Sequence, residues 1–161
     1  MTTVDEIMMQ ADADDIFQVA VNVEFWPEIL PHYRWVRILE RRADGLVVEM
    51  SARRGSIPVK WVAIQTVDRA QRKIMYRHIG GATKGMNVVW RVHPLGEGVH
   101  VSIVHELRLQ HPLVRTFLGK TIVGSVFVKY IAGETLRWMK AALEGGREHT
   151  CAVQSSLELG Q

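Results

Sequence analysis

Residues 112–143 read PLVRTFLGKTIVGSVFVKYIAGETLRWMKAAL, and this stretch decides what the rest of the chain has to do. On a 3.6-residue period Val123, Phe127, Ile131, Thr135, Trp138, Met139 and Ala142 share one broad sector, with Lys129, Gly133, Arg137, Lys140 and Glu144 opposite. An apolar arc of that width belongs to a helix held by other elements rather than one laid on a surface. About 30 residues at about 1.5 Å each give a rod of about 45 Å, as long as a domain of this size is wide. Gly119 and Gly124 weaken its first third, where a bend or a break is expected. Glu134 interrupts the arc. It sits at the edge of the packed face or pairs with an arginine, and we read it as the edge.

Upstream of this helix the period changes to two. Strand-like runs at about 33–41, 45–54, 57–67, 73–79, 85–93 and 99–110 are separated by turn chemistry such as Ala43-Asp44-Gly45, Gly55-Ser56 and Gly80-Gly81. Breaks this short join antiparallel neighbours. Residues 3–10 read as a further strand, followed by Asp12 as the cap of a short helix and by Asn22 as the cap of a second turn that Pro27 and Pro31 punctuate and stop. The expected fold is α+β: a seven-stranded antiparallel sheet curved around one long C-terminal helix, with two short helices after the first strand.

Alternation assigns the inward faces. Leu46, Val48, Met50 and Ala52; Val59, Trp61, Ala63 and Gln65; Met86, Val88, Trp90 and Val92; and Val101, Ile103, His105 and Leu107 each point one way along their strands. Large apolar groups mixed with Gln65 and His105 on a concave face predict a cavity between sheet and helix.

The 161 residues suit one domain over about 1–145, with 146–161 a polar tail expected to be disordered. The single cysteine, Cys151, forms no internal disulfide, and the acidic start MTTVDEIMMQ has no basic region leading into an apolar run, so a cytoplasmic location is expected. A charge of +3 spread over scattered pairs (Arg41–Arg42, Arg53–Arg54, Arg72–Lys73) excludes a nucleic-acid-binding stripe. If those pairs gather on one side, they would allow peripheral contact with an anionic membrane. His32, His78, His93, His100, His111 and His149 lack metal-ligand spacing, and no phosphate loop or nucleophile elbow is present, so neither a metal nor a cofactor is expected.

The stretch WPEILPHYRWVRIL, 26–39, resembles the polyketide cyclase/dehydrase branch of the START-related superfamily, which shares the helix-grip fold of the birch-pollen allergens. IPVKWVAIQ, GGATKGMNVVW, VHVSIVHELRL and TLRWMK continue the likeness from about residue 3 to residue 144. The resemblance implies a ligand pocket. Tyr33 stands where aromatase and cyclase members have a pocket tyrosine, Trp61 and Trp90 match aromatic wall positions, and Thr135 matches a polar position of the long helix. Gln65 stands where the aromatases carry an arginine, Ala63 where they carry a hydroxyl, and His105 replaces a glutamine.

The ligand-binding candidates are therefore Tyr33, Met50, Trp61, Gln65, Trp90, His105, Phe127, Ile131 and Thr135, with Arg54 at the pocket rim. Tyr33 has the donor strength of a general acid or serves as an amphipathic wall residue; His105 has an intrinsic pKa for proton transfer or is a core histidine satisfied by a neighbour. Two functions fit. In the first, the protein binds and carries a hydrophobic small molecule such as a quinone, isoprenoid or lipid. In the second it is a cyclase or dehydratase of a poly-β-keto substrate, with Tyr33 and His105 as catalytic acid and base and Gln65 orienting a carbonyl. The missing arginine ranks the carrier first.

Overall fold

The computed structural model describes residues 2–107 and 123–158, and gives the side chains of the last helix over 126–145. The strands are β1 (Thr2–Met9), β2 (Tyr33–Arg42), β3 (Gly45–Arg54), β4 (Ile57–Asp68), β5 (Lys73–Gly81), β6 (Met86–Leu95) and β7 (Gly98–Leu107). Two helices, α1 (Ala13–Val21) and α2 (Trp26–Ile29), follow β1, and α3 (Val123–Glu158) closes the chain. All strands are antiparallel in the order β1-β7-β6-β5-β4-β3-β2, the helix-grip arrangement. The meander β2 to β7 follows from its short turns. β1 joins it only through β7, in a register from Thr2 opposite Glu106 to Met9 opposite Val99.

Local chemistry sets the entry to the fold. Asp12 caps α1, its carboxylate accepting from the Asp14 and Asp15 amides at 2.9 and 3.2 Å. Asn22 does not cap with its side chain as expected; its carbonyl accepts from the Phe25 amide and closes a 3-10 turn, Val23–Phe25. Pro27 does not stop a helix either. It lies in the first turn of α2, where its missing N–H has no partner to lose, and the stop comes at Leu30 before Pro31. Gly81, the last residue of β5, has φ +82°, and a Cβ there would run into the Lys60 carbonyl of β4, so its close pairing with Trp61 requires glycine.

The inward parity of β3, β4, β6 and β7 places Val48, Met50, Ala52, Trp61, Ala63, Gln65, Val88, Trp90, Ile103 and His105 on the concave face, all buried. On α3 the packed arc is Phe127, Val128, Ile131, Ala132, Thr135, Leu136 and Met139. Trp138 and Ala142, expected within it, are exposed. Trp138 turns outward because its indole N–H donates to Glu134 one turn earlier, at 3.2 Å. Glu134 is not a bare edge residue, since it also pairs with Arg137. The polar side of α3 in turn ties down β1: Lys140 Nζ donates to the Met8 carbonyl, and Glu144 accepts from the Gln10 amide and from Lys140.

Several expectations fall beyond the described residues: the 112–122 part of the helix with Gly119, and the end of the last strand at 108–110. The side chain of Val123, expected in the packed arc, is likewise outside them. The backbone of α3 continues past Gly145-Gly146 to Glu158, where a disordered tail was expected. The basic pairs do not gather on one side. Alternating turns put Arg53 and Arg54 at the end of the sheet where Tyr33 begins, and Arg41, Arg42, Arg72 and Lys73 at the other. Arg41, Arg42 and Arg72 are moreover paired with Glu24, Glu40 and Asp14. No helix among the described residues is long and apolar enough to cross a membrane.

Candidate ligand cavity

The two ends of the sheet are filled differently. At the end where β2, β4 and β7 meet the turn after α2, the concave face and α3 stand apart and leave a cavity. Its walls include Tyr33, Met50, Trp61, Trp90, His105, Phe127, Ile131 and Thr135, which are eight of the nine residues expected to bind ligand. About 60 Å³ of it is open to the centres of water-sized spheres, room for a few waters at about 10–15 Å³ each. A larger ligand needs the wall to yield, and Met50 and Met86 are the adaptable side chains in it.

An aromatic band runs across the cavity. Trp26 packs on Trp90 at 5.6 Å and edge-on against Tyr33 at 5.1 Å; Tyr33 meets Trp61 at 6.1 Å, and the His78 ring stacks on Trp61 at 5.9 Å with 8° between planes. α2 exists to aim this band. Trp26 is anchored by its indole N–H to the Val19 carbonyl at 2.9 Å, and the Tyr33 amide closes a turn onto the Leu30 carbonyl, so Tyr33 starts β2 facing inward.

Two polar groups of side chains interrupt the band. On the α3 side, Thr135 Oγ1 donates to the Ile131 carbonyl at 2.7 Å and lies 2.9 Å from His32 Nε2. Its single proton is spent on Ile131, so His32 donates from Nε2, and His32 Nδ1 is a buried lone pair without a partner. The Tyr33 hydroxyl also interacts with Thr135. On the sheet side, His78 Nδ1 lies 2.5 Å from Thr83 Oγ1, and His105 stands near it with its Nδ1 sealed and unpartnered among the described residues.

Electrostatically the site is neutral. Burial lowers His105 to about 4 and His32 to about 4, and burial together with nearby His105 lowers His78 to about 3. Burial also raises Tyr33 and Tyr76 above the usual phenol range. Near pH 7 all five are uncharged, and no Lys, Arg, Asp or Glu lines the cavity among the described residues. Nor do three metal-ligating side chains converge among them.

Gln65 is the expected contact that the structure places elsewhere. It faces inward, but two inward positions further along β4 than Trp61, where α1 closes the concave face. Its amide Nε2 donates to the Val21 carbonyl at 3.0 Å and to the Tyr76 hydroxyl at 3.1 Å, tying α1 to β4 and β5. Arg54 is exposed, its guanidinium 5.4 Å from the ring of Tyr130 on α3, beside the cavity and not in its lining. The sequence reading missed His78, Thr83, Tyr76 and Trp26. The same period of two that exposed the other strands places Ile74, Tyr76 and His78 on one face of β5, so the signal was present.

A family described as polyketide cyclase / dehydrase and lipid transport matches residues 9–126. A Streptomyces cyaneus protein provisionally named a polyketide cyclase is 25% identical over 112 residues, 67% of this chain and 73% of that protein. Among solved structures, a Thermus thermophilus protein superposes with a TM-score of 0.77 at 15% identity, covering 91% of this chain and 99% of its own. The Zhui aromatase/cyclase from Streptomyces sp. R1128 gives 0.64 at 19% identity, covering 88% and 95%. At those identities the structures establish the shared fold.

Proposed function

The chain belongs to the polyketide cyclase/dehydrase and lipid transport family, and within that family we propose that it binds an uncharged, flat, hydrophobic small molecule between the sheet and α3. A quinone, an isoprenoid or a comparable lipid fits this class. One observation carries the reading: a wall of Trp26, Trp61, Trp90 and Tyr33 in which every titratable group is held neutral by burial. Such a wall gains from apolar and stacking contact and offers a charged ligand no counter-ion. Native mass spectrometry of gently purified protein, followed by denaturing extraction, tests it. A retained or freely taken-up hydrophobic molecule supports the proposal; a protein that carries none and takes up none refutes it.

A second reading, cyclisation or dehydration of a poly-β-keto substrate, is supported by the aromatase/cyclase likeness and by Tyr33 and His105 facing one cavity. The Tyr33 phenol, kept protonated by burial, is suited to donate to a carbonyl oxygen as negative charge develops on it, while His105 would receive a proton from the adjacent carbon. Gln65 has no part in it, because its amide is committed to Val21 and Tyr76. Burial makes His105 a weak base at neutral pH, which places this reading second. Unchanged turnover in Tyr33→Phe and His105→Ala would remove both roles.

A further inference from the structure

Among the described residues, four buried side-chain atoms lack a hydrogen-bond partner: Thr3 Oγ1, Asp5 Oδ2, His32 Nδ1 and His105 Nδ1. Three of them belong to one strip of the sheet. In the β1–β7 register Thr3 lies directly opposite His105, and Asp5 lies opposite Ile103. Thr3 and Asp5 share the half-buried, inward parity of β1, so both point to the face that carries His105. Directly opposed residues have Cβ atoms about 4.5–5.5 Å apart and diagonal ones about 7–8 Å; the three polar atoms do not bond one another directly, and one water between them closes the gaps.

Chemistry fixes how these atoms fit together. A carboxylate oxygen is an acceptor only, so Asp5 Oδ2 needs a donor. The strip can supply the Thr3 hydroxyl and His105 Nδ1, the latter only if the ring carries its proton there. A neutral imidazole has one proton. If it sits on Nδ1, the lone pair is left on Nε2, and because Nδ1 is sealed, Nε2 is the nitrogen a ligand can reach. Among the described residues, the other titratable groups that act on the strip or are acted on by it are His78 from β5, whose protonation His105 disfavours, and Lys129 from α3, which favours the ionised form of Asp5 against its own burial.

We propose that Thr3, Asp5 and His105 form, through a water held between them, one hydrogen-bonded unit in which Asp5 holds His105 as its Nδ1–H tautomer, so that the Nε2 lone pair faces the cavity and receives a ligand hydroxyl of phenolic or enolic type. Asp5 and Thr3 are positioning residues in this unit. The ligand class rests on the binding function proposed above; the tautomer does not. Where a substrate replaces a ligand, the same lone pair is the one that takes up a proton.

Two measurements on the full chain test it. Long-range ¹⁵N–¹H NMR at pH 7 reads the tautomer of His105: Nδ1–H is expected in the wild type, and a shift toward Nε2–H in Asp5→Asn, whose amide donates to Nδ1. An Nε2–H tautomer in the wild type, or no change in the Asp5→Asn variant, overturns the unit. Quenching of the cavity tryptophans then compares 2-naphthol with 2-fluoronaphthalene, which has nearly the same shape and no donor. The wild type should prefer 2-naphthol about tenfold, the worth of one good hydrogen bond. Asp5→Asn should lose most of that preference while still binding 2-fluoronaphthalene. Equal binding of both probes by the wild type overturns the ligand class and leaves hydrophobic binding standing. Binding of neither refutes the ligand class and hydrophobic binding together, with the tautomer judged by NMR alone.

Discussion

Replacing Thr135 by Val tests the polar contact that joins α3 to the start of β2. The side chain keeps its shape and stays fully buried, so almost all of the effect is the loss of one oxygen. The Ile131 carbonyl keeps its place in the helix and its contact with His32, but His32 loses the oxygen 2.9 Å from Nε2 and the Tyr33 hydroxyl loses the same partner. Moving the imidazole proton gives no escape, because Nδ1 has no partner either. A buried donor left unsatisfied costs about 1–3 kcal/mol, and the added methyl returns up to about 0.8 kcal/mol, for a net loss of about 1–2 kcal/mol. In a domain of this size that lowers Tm by about 2–8 °C. Urea and thermal denaturation of the wild type, Thr135→Val, His32→Phe and the double variant form a cycle. Once His32 is Phe, the Thr135 change should cost only what the Tyr33 hydroxyl loses, giving a coupling of about 1 kcal/mol or more. A Thr135→Val protein as stable as the wild type, or a cycle with no coupling, would refute the donor assignment to His32.

Gln65→Leu should cost about 1–3 kcal/mol in urea denaturation, by releasing the Val21 carbonyl and the Tyr76 hydroxyl, and should leave affinity for a cavity ligand unchanged; a large loss of binding without loss of stability would contradict its place outside the cavity. Stability should also fall in mild acid. His78 and His105 have folded values near 3 and 4 against 6.5 in the unfolded chain, so the unfolded chain binds more protons between those limits. Their contribution is intact above about pH 6.5 and is lost as the pH drops toward 4, at up to about 1.4 kcal/mol per pH unit for each ring. His32 acts in the same direction. Urea midpoints that stay level from pH 7 to pH 5 would show that these rings are not buried neutral.

Parity was legible in the sequence and depth was not. Alternation told which side of β3, β4, β6 and β7 turns inward, because one face of an antiparallel strand is one set of every second residue. It did not tell how far along the strand the concave face is roofed by α1 and how far by α3. Trp61 and Gln65 share a parity, yet the first reaches the cavity and the second is spent on α1. The helix failed in a related way. Its apolar sector was recognised, but Trp138 has a polar edge, and the Glu134 carboxylate one turn away drew it into solvent while Val128, Ala132 and Leu136 took the core. His78 was passed over because it was judged only as a metal ligand, and Asp5 because a lone carboxylate in an edge strand has no meaning until its register against β7 is known.

The pairing of β1 with β7 sets the order in which the molecule can be completed as it leaves the ribosome. The first strand made is hydrogen-bonded only to the last, so it waits for roughly a hundred residues, about 5–20 s of synthesis at about 5–20 residues per second. Phe127, Ile131 and Met139, which roof the aromatic band and the core beside it, emerge later still. Throughout that interval Trp61, Trp90 and the cavity end of β3 to β6 have no α3 over them. The nascent chain thus presents its future binding surface to solvent or to a chaperone before it presents it to any ligand, and the cavity is the last part of this fold to come into being.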